Sequence, residues 1–185
     1  RRAREPGEWL HLARWESSAF SGEHGEVEIG LSLIRGPNAS GRTTRTSVVG
    51  ADFLLRAWRR EEGDAKHALT WHGEWLARRY EAGDPGALAR EVLRDKGWSS
   101  QWLYGLDSRL SLGFRLEGAG GGGGNFGDPE RDARRRAALI VLWQPREDLG
   151  LRVQLNRVST PQPEFGRARI LLVQLRWQFG TGHER

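Results

Sequence analysis

Ile170-Leu171-Leu172-Val173-Gln174-Leu175-Arg176-Trp177-Gln178-Phe179-Gly180, near the C-terminal end, decides how this chain is read. Val173, Leu175, Trp177 and Phe179 fall on one side of a period-two strand, and Gln174, Arg176 and Gln178 on the other. One face is apolar and ends in aromatics; the other carries amides and a charge. A half-buried strand of a soluble protein alternates in this way. So does a strand with lipid on one side and a wet lumen on the other.

The same alternation recurs upstream. Residues 149–157 set Leu149, Leu151, Val153 and Leu155 against Arg152, Gln154 and Asn156. Residues 109–117 set Leu110, Leu112, Phe114 and Leu116 against Ser111, Gly113, Arg115 and Glu117. In 98–106, Trp98, Trp102, Tyr104 and Leu106 oppose Ser99, Gln101 and Gly105; in 68–78, Leu69, Trp71 and Trp75 oppose Thr70, His72 and Glu74. In 47–58, Val49, Ala51, Phe53, Leu55 and Ala57 oppose Gly50, Asp52 and Arg56. In 26–34, Val27, Ile29, Leu31 and Leu33 oppose Glu26, Glu28, Gly30 and Ser32. Residues 137–143 are apolar on both faces, with Leu139, Val141 and Trp143 outward, and 8–16 make one more strand of ambiguous facing. The total is about nine strands, near the roughly 9–11 residues that a tilted strand needs to cross a bilayer.

The connections alternate in length. Asp107-Ser108 and the Pro145-containing stretch 144–148 are tight; 81–97 and 118–134 are long; 36–45 and 161–167 are intermediate, each with Pro and Gly. This is the rhythm of an up-and-down meander with two unlike ends. In outer-membrane barrels the short turns are periplasmic and the long loops extracellular. If the last strand runs toward the periplasm, every long loop lands outside, and the first strand also runs downward. Such barrels hold an even number of strands. The expectation is therefore a single β-barrel region over 1–185, the C-terminal part of a larger barrel. Two loop features are expected to be bland: a short helix over 84–95, with Asp84 as N-cap and Pro85 at N1, and a glycine tract, 118–124, as a loop tip.

Composition is compatible with this architecture. No apolar run approaches the ~20 residues of a membrane-spanning helix, and only alternate residues of a barrel strand face lipid. With no cysteine there is no disulfide and no thiolate metal site. The opening residues 1–9 are charged and lack the apolar core of a signal peptide, which reads as a processed product or a piece of something longer. The net charge is +5 and almost wholly arginine, but the arginines are scattered, so nucleic acid is not the expected partner. Anionic lipopolysaccharide head groups at a strand mouth suit them better.

Several segments resemble a group of bacterial outer-membrane barrels labelled porin-like, or zinc-regulated TonB-dependent outer-membrane receptors. Gly36-Pro37-Asn38-Ala39-Ser40-Gly41-Arg42-Thr43 followed by Gly50-Ala51-Asp52 resembles their G-x-N-x-S/T-G…GAD-L-x-x-K/R-W segment. Leu69-Thr70-Trp71-His72-Gly73-Glu74-Trp75-Leu76 is similar to their L-x-W-Q-x-E-Y-L strand, and Gly97-Trp98-Ser99-Ser100-Gln101 to their G-x-Y/W-S-Q start. Leu151-Arg152-Val153-Gln154-Leu155-Asn156 resembles L-R-L-Q-Y-N, and 172–180 resembles the closing L-Q-F-x-F-x-L-G strand. The resemblance covers most of 26–180. It implies a transmembrane antiparallel up-and-down barrel in a Gram-negative outer membrane, in contact with lipid, lipopolysaccharide and the barrel-assembly machinery. It implies TonB coupling only where a plug domain precedes the strands, and it brings no catalytic site. The departure is at the end: such barrels finish on an aromatic, and this chain continues Thr181-Gly182-His183-Glu184-Arg185.

The residues expected to face the lumen are Glu28, Asp52, Arg56, His72, Glu74, Arg115, Glu117, Arg152 and Arg176. Mixed charge suits a polarised, water-filled pore, and also a closed set of internal salt bridges. His72 and Glu74 share a face and are the one weak metal candidate, since no two histidines have ligand spacing. No cofactor is expected. No G-x-S-x-G occurs and no Ser/His/Asp set can be assembled from order, so the chain reads as a non-enzyme. The leading function is passage or uptake of small solutes across the outer membrane. The alternatives are a soluble up-and-down barrel holding an apolar ligand, with the apolar faces inward, and an outer-membrane hydrolase.

Overall fold

The computed structural model describes residues 9–40, 43–61, 64–83, 90–122, 131–160 and 166–178. They form nine strands: β1 (His11–Gly22), β2 (Gly25–Pro37), β3 (Arg45–Glu61), β4 (Asp64–Gly83), β5 (Arg90–Gly105), β6 (Leu110–Gly122), β7 (Arg134–Arg146), β8 (Leu149–Ser159) and β9 (Arg167–Trp177). Each strand pairs antiparallel with the next, giving one sheet in the order β1 to β9. The all-β, up-and-down architecture read from the alternation is the one the chain adopts. The sheet is open: β1 and β9 are its edges. Directions alternate along an odd number of strands, so these two edges run the same way.

The register joins the separate alternations into two continuous faces. Trp15 lies opposite Leu31, Leu31 opposite Ala51, Ala51 opposite Trp75, and Trp75 opposite Trp98. Further along, Phe114 is opposite Leu139, Leu139 opposite Leu155, and Leu155 opposite Leu171. Every apolar set inferred from spacing therefore falls on one face of the sheet. A one-residue slip anywhere would mix the two faces, and the bulges at 18–20, 57–58 and 143–146 lie toward the turn end.

Exposure is inverted between these faces. On β7, Leu139 is 65% exposed and its neighbour Ile140 is 1% exposed. Leu31, Leu33, Phe114, Leu116, Val173 and Leu175 are likewise exposed, whereas Gln154 and Asn156 are buried. On β6 to β8 the polar face is thus the more sheltered side and the apolar face the outer one, whereas β1 and β9 are exposed on both faces almost throughout.

The turns follow local chemistry. β1 and β2 join through 23–24, flanked by Gly22 and Gly25. Gly25 is packed so closely on the Arg56 carbonyl that a Cβ would come within 2.5 Å of its oxygen. At the β5–β6 turn, the Asp107 carboxylate accepts from the backbone N–H groups of Arg109 (2.6 Å) and Leu110 (2.8 Å), an Asx-type closure. Pro145, expected in a turn, sits in the bulge at the end of β7, where a residue without an N–H leaves no ladder bond unmade.

Two expectations need correction. Residues 90–95 are not helical: they open β5, pairing Val92 with Glu81, Leu93 with Tyr80 and Asp95 with Arg78. Ladder bonds and the Arg78–Asp95 ion pair (2.6 Å) outweigh the local helix signals there; 84–89 lie outside the described residues. Likewise Gly118–Gly122 are not loop but the end of β6, opposite Trp98, Gly97, Lys96, Asp95 and Arg94; 123–124 are outside the described residues. β3, β4 and β5, of 17, 20 and 16 residues, run past the apolar band, β4 and β5 on the long-connection side and β3 and β4 also at the turn end, where 58–61 pair with 64–67.

Candidate functional site

The sheltered face carries all nine residues expected to line a lumen. Three depressions hold eight of them. Glu28, Asp52 and His72 line one of about 320 Å³, with Arg14, Glu16 and Gly30. Glu74, Arg115 and Glu117 line one of about 390 Å³, with Ser99 and Arg136. Arg152 and Arg176 line one of about 240 Å³, with Leu142 and Gln174. Arg56 stands apart, bound to Glu26 and Glu28.

Pairing register reveals an order that spacing along one strand cannot. Glu16 is opposite Gly30, Gly30 opposite Asp52, Asp52 opposite Glu74, Glu74 opposite Ser99, and Ser99 opposite Glu117. Four carboxylates thus lie in one transverse row, which ends at Arg136 on β7. Three guanidinium groups answer them. Arg14 forks onto both Asp52 oxygens (2.9 and 3.0 Å) and also donates to Glu16. Arg115 and Arg136 both hold Glu117. Glu74 has no hydrogen bond or ion pair among the described residues, so it is the carboxylate of the row left to solvent or solute. Glu16 and Arg14 were missed in the sequence because the facing of β1 was ambiguous, and Arg136 because 137 was taken as the start of its strand.

Gly30 explains how Arg14 reaches across β2. A Cβ at Gly30 would lie 2.6 Å from Arg14 Nη2 and 2.6 Å from Asp52 Oδ1. The absent side chain is the space through which the bridge from β1 to β3 passes. Along β8 a second network runs lengthwise. Arg152 Nη2 donates to Gln154 Oε1 (2.8 Å), Gln154 Nε2 to Asn156 Oδ1 (2.6 Å), and Asn156 Nδ2 to the Ile170 carbonyl (3.2 Å). Burial obliges these amides to find partners, and each supplies the next.

His72 and Glu74 point to the same face but have no third ligating side chain among the described residues, where no cluster of three or more His, Cys, Asp or Glu occurs. A two-ligand arrangement falls short of a structural metal centre.

No protein-family model, curated protein or solved structure matches this chain.

On the outer face, aromatics organise the band. Trp71 stacks on Trp102 (centroids 4.2 Å apart, 15° between planes) and takes the Phe53 edge at 4.5 Å. Both indole N–H groups donate to one acceptor, Ser100 Oγ, at 3.0 and 3.1 Å. The donors on an exposed apolar face are thereby satisfied within the sheet. Phe53 lies over Gly73 and Trp98 over Gly118, each ring filling the gap a glycine leaves. No helix among the described residues is long and apolar enough to cross a membrane; strands are a separate matter.

The Asn38–Ser40 motif has a structural role. Asn38 Oδ1 accepts from Ser40 N (3.0 Å), Ser40 Oγ (2.6 Å) and Thr44 Oγ1 (2.7 Å), and its Nδ2 donates to the Glu81 carbonyl at 3.0 Å. Ser40 Oγ also contacts that carbonyl (2.9 Å) and accepts from Gly83 N (3.2 Å). These bonds tie the β2–β3 connection to the end of β4.

Proposed function

We propose that this chain forms part of the wall of an outer-membrane β-barrel through which small hydrophilic solutes pass. One observation carries the proposal: nine strands in register align their apolar sets on one face, which carries most of the exposed large hydrophobic side chains, and their charged and amide sets on the other. In water this arrangement is backward, because large contiguous apolar surface is unfavourable there. In a bilayer it is the required one. Its dimension fits as well. Val49 to Ala57 and Leu69 to Ala77 each cover ~27 Å along the strand. Tilted by ~40°, that covers ~21 Å, most of a band of roughly 25 Å.

A soluble barrel holding an apolar ligand needs the opposite facing, so exposure disfavours it. Passage rather than a sealed wall is favoured by the transverse row of carboxylates, in which Glu74 is unpaired among the described residues. Rings of fixed charge across an aqueous path set selectivity among small ions and polar solutes. The reading is of passive passage; coupling to TonB would call for a plug domain in addition to these strands.

Planar-bilayer recording on the full-length protein, refolded in detergent, tests this function. Discrete conductance steps whose cation preference falls in Glu74→Gln are expected. A correctly folded protein that inserts without conducting would refute passage while leaving the membrane placement intact.

A further inference from the structure

We infer that the long-connection end of the outer face is a binding belt for the phosphates of anionic lipid head groups. This rests on the membrane reading above and assigns one lipid class to one end of the sheet. Below the belt the outer face is uncharged: Val27 to Leu33 on β2, Leu69 to Ala77 on β4 and Leu149 to Leu155 on β8 place no ionisable side chain on it. At the long-connection end the same rows change character together. Arg35 follows Leu33, Arg79 follows Ala77, Lys96 precedes Trp98, Arg135 precedes Ala137, and Arg157 follows Leu155.

Register shows that these are neighbours and not isolated charges. Arg79 is opposite Arg94, Ala77 opposite Lys96, and Arg157 opposite Arg169. Like charges directly opposite repel and destabilise a ladder. Their recurrence implies a counter-charge from outside the sheet. Within it, Glu81 supplies one carboxylate, held by Arg79 at 3.3 Å. Arg35, Arg94, Lys96, Arg135, Arg157 and Arg169 are exposed, with no ion pair among the described residues.

The opposite end is different. Its turns mix acids with bases: Glu23, Asp107, Glu147 and Asp148 stand with Arg109 and Arg146, and Arg146 is paired with Asp148 at 3.0 Å. The like-charged basic rows therefore mark the long-connection end. Guanidinium groups bind phosphate oxygens bidentately, and a basic residue at a membrane surface favours anionic lipid roughly fivefold at low salt.

The test uses full-length protein in vesicles and quenching of tryptophan by brominated lipid, with Trp75 and Trp98 as reporters just inside the belt. Brominated phosphatidylglycerol, a single-phosphate anionic lipid, is compared with brominated phosphatidylcholine. The expected result is a preference of roughly fivefold for the anionic lipid. It falls toward one in R79Q/R94Q/K96Q/R135Q/R157Q and survives millimolar inorganic phosphate at constant ionic strength. Equal quenching by both lipids in the native protein, or an unchanged preference in the five-fold variant, overturns the belt while leaving the membrane reading in place. Absence of quenching by phosphatidylcholine overturns the membrane reading itself. A variant that loses oligonucleotide binding but keeps its lipid preference would assign the belt to nucleic acid instead.

Discussion

Leu155 stands 48% exposed, and Asn156, the next residue along β8, is 1% exposed. The leucine looks out between Leu139 and Leu171; the asparagine faces inward, bonded to Gln154 and to the Ile170 carbonyl. β6 and β7 repeat this inversion, and the consequences separate a lipid-facing sheet from a water-facing one.

A charge at Leu155 or Leu139 should be costly only if that face meets lipid. Leu155→Arg is expected to lower the folding free energy in vesicles by about 2–4 kcal/mol, the cost of an arginine at the middle of a barrel's lipid face. Urea titration of the refolded protein measures it. A change within ~0.5 kcal/mol, as for a surface substitution, would mean that Leu155 faces water.

Ser100→Ala removes the shared acceptor of the Trp71 and Trp102 indoles. Two donors would then face an apolar medium unsatisfied, and a loss of about 2 kcal/mol is expected from the cost of unpaired buried donors. Ser100→Thr keeps the hydroxyl and should retain most of the stability, which the same titration checks.

Gly30→Val fills the space that the Arg14–Asp52 bridge occupies. We expect the bridge to break and the freed Asp52 carboxylate to strengthen cation preference in single-channel recordings. The pair is solvent-accessible, with side chains 40% and 26% exposed, so stability should change far less than selectivity. Asp52→Asn should act in the opposite sense, leaving Arg14 uncompensated.

Asn38→Ala unties the β2–β3 connection from β4. Amide exchange at 81–83 is expected to speed up by roughly tenfold or more, since several bonds of about 1 kcal/mol each are lost together. Exchange in the β8–β9 ladder, remote from the knot, should not change.

Much of the architecture is legible in the chain because a strand's period is two, and the apolar sets on β2 to β6, β8 and β9 announce their facing without help, whereas β7 is apolar on both faces. β1 did not, since Leu12 shares the face of Arg14 and Glu16 and the bulge at 18–20 shifts its phase. The ends of β4, β5 and β6 were misread for a different reason. Asp84-Pro85 and the glycine tract are strong local signals, yet cross-strand pairing of 78–83 with 90–95 and of 118–122 with 94–98 extends the ladder past them. The candidate site divides in the same way. Its members could be named from alternation, but the transverse carboxylate row depends on how far each strand slides against the next, and that is a property of pairs.

The most direct test of the central claim uses single-cysteine labels, which these 185 residues, having no cysteine, accept without background of their own. Nitroxides at 150 to 156 on β8 of the full-length protein in vesicles report access to dissolved oxygen and to a water-soluble nickel chelate by power saturation. The account predicts a period of two, with labels at Leu151, Val153 and Leu155 favouring oxygen and those at Arg152, Gln154 and Asn156 favouring the chelate or neither. The reverse phase, or chelate access at Leu151, Val153 and Leu155, would contradict it.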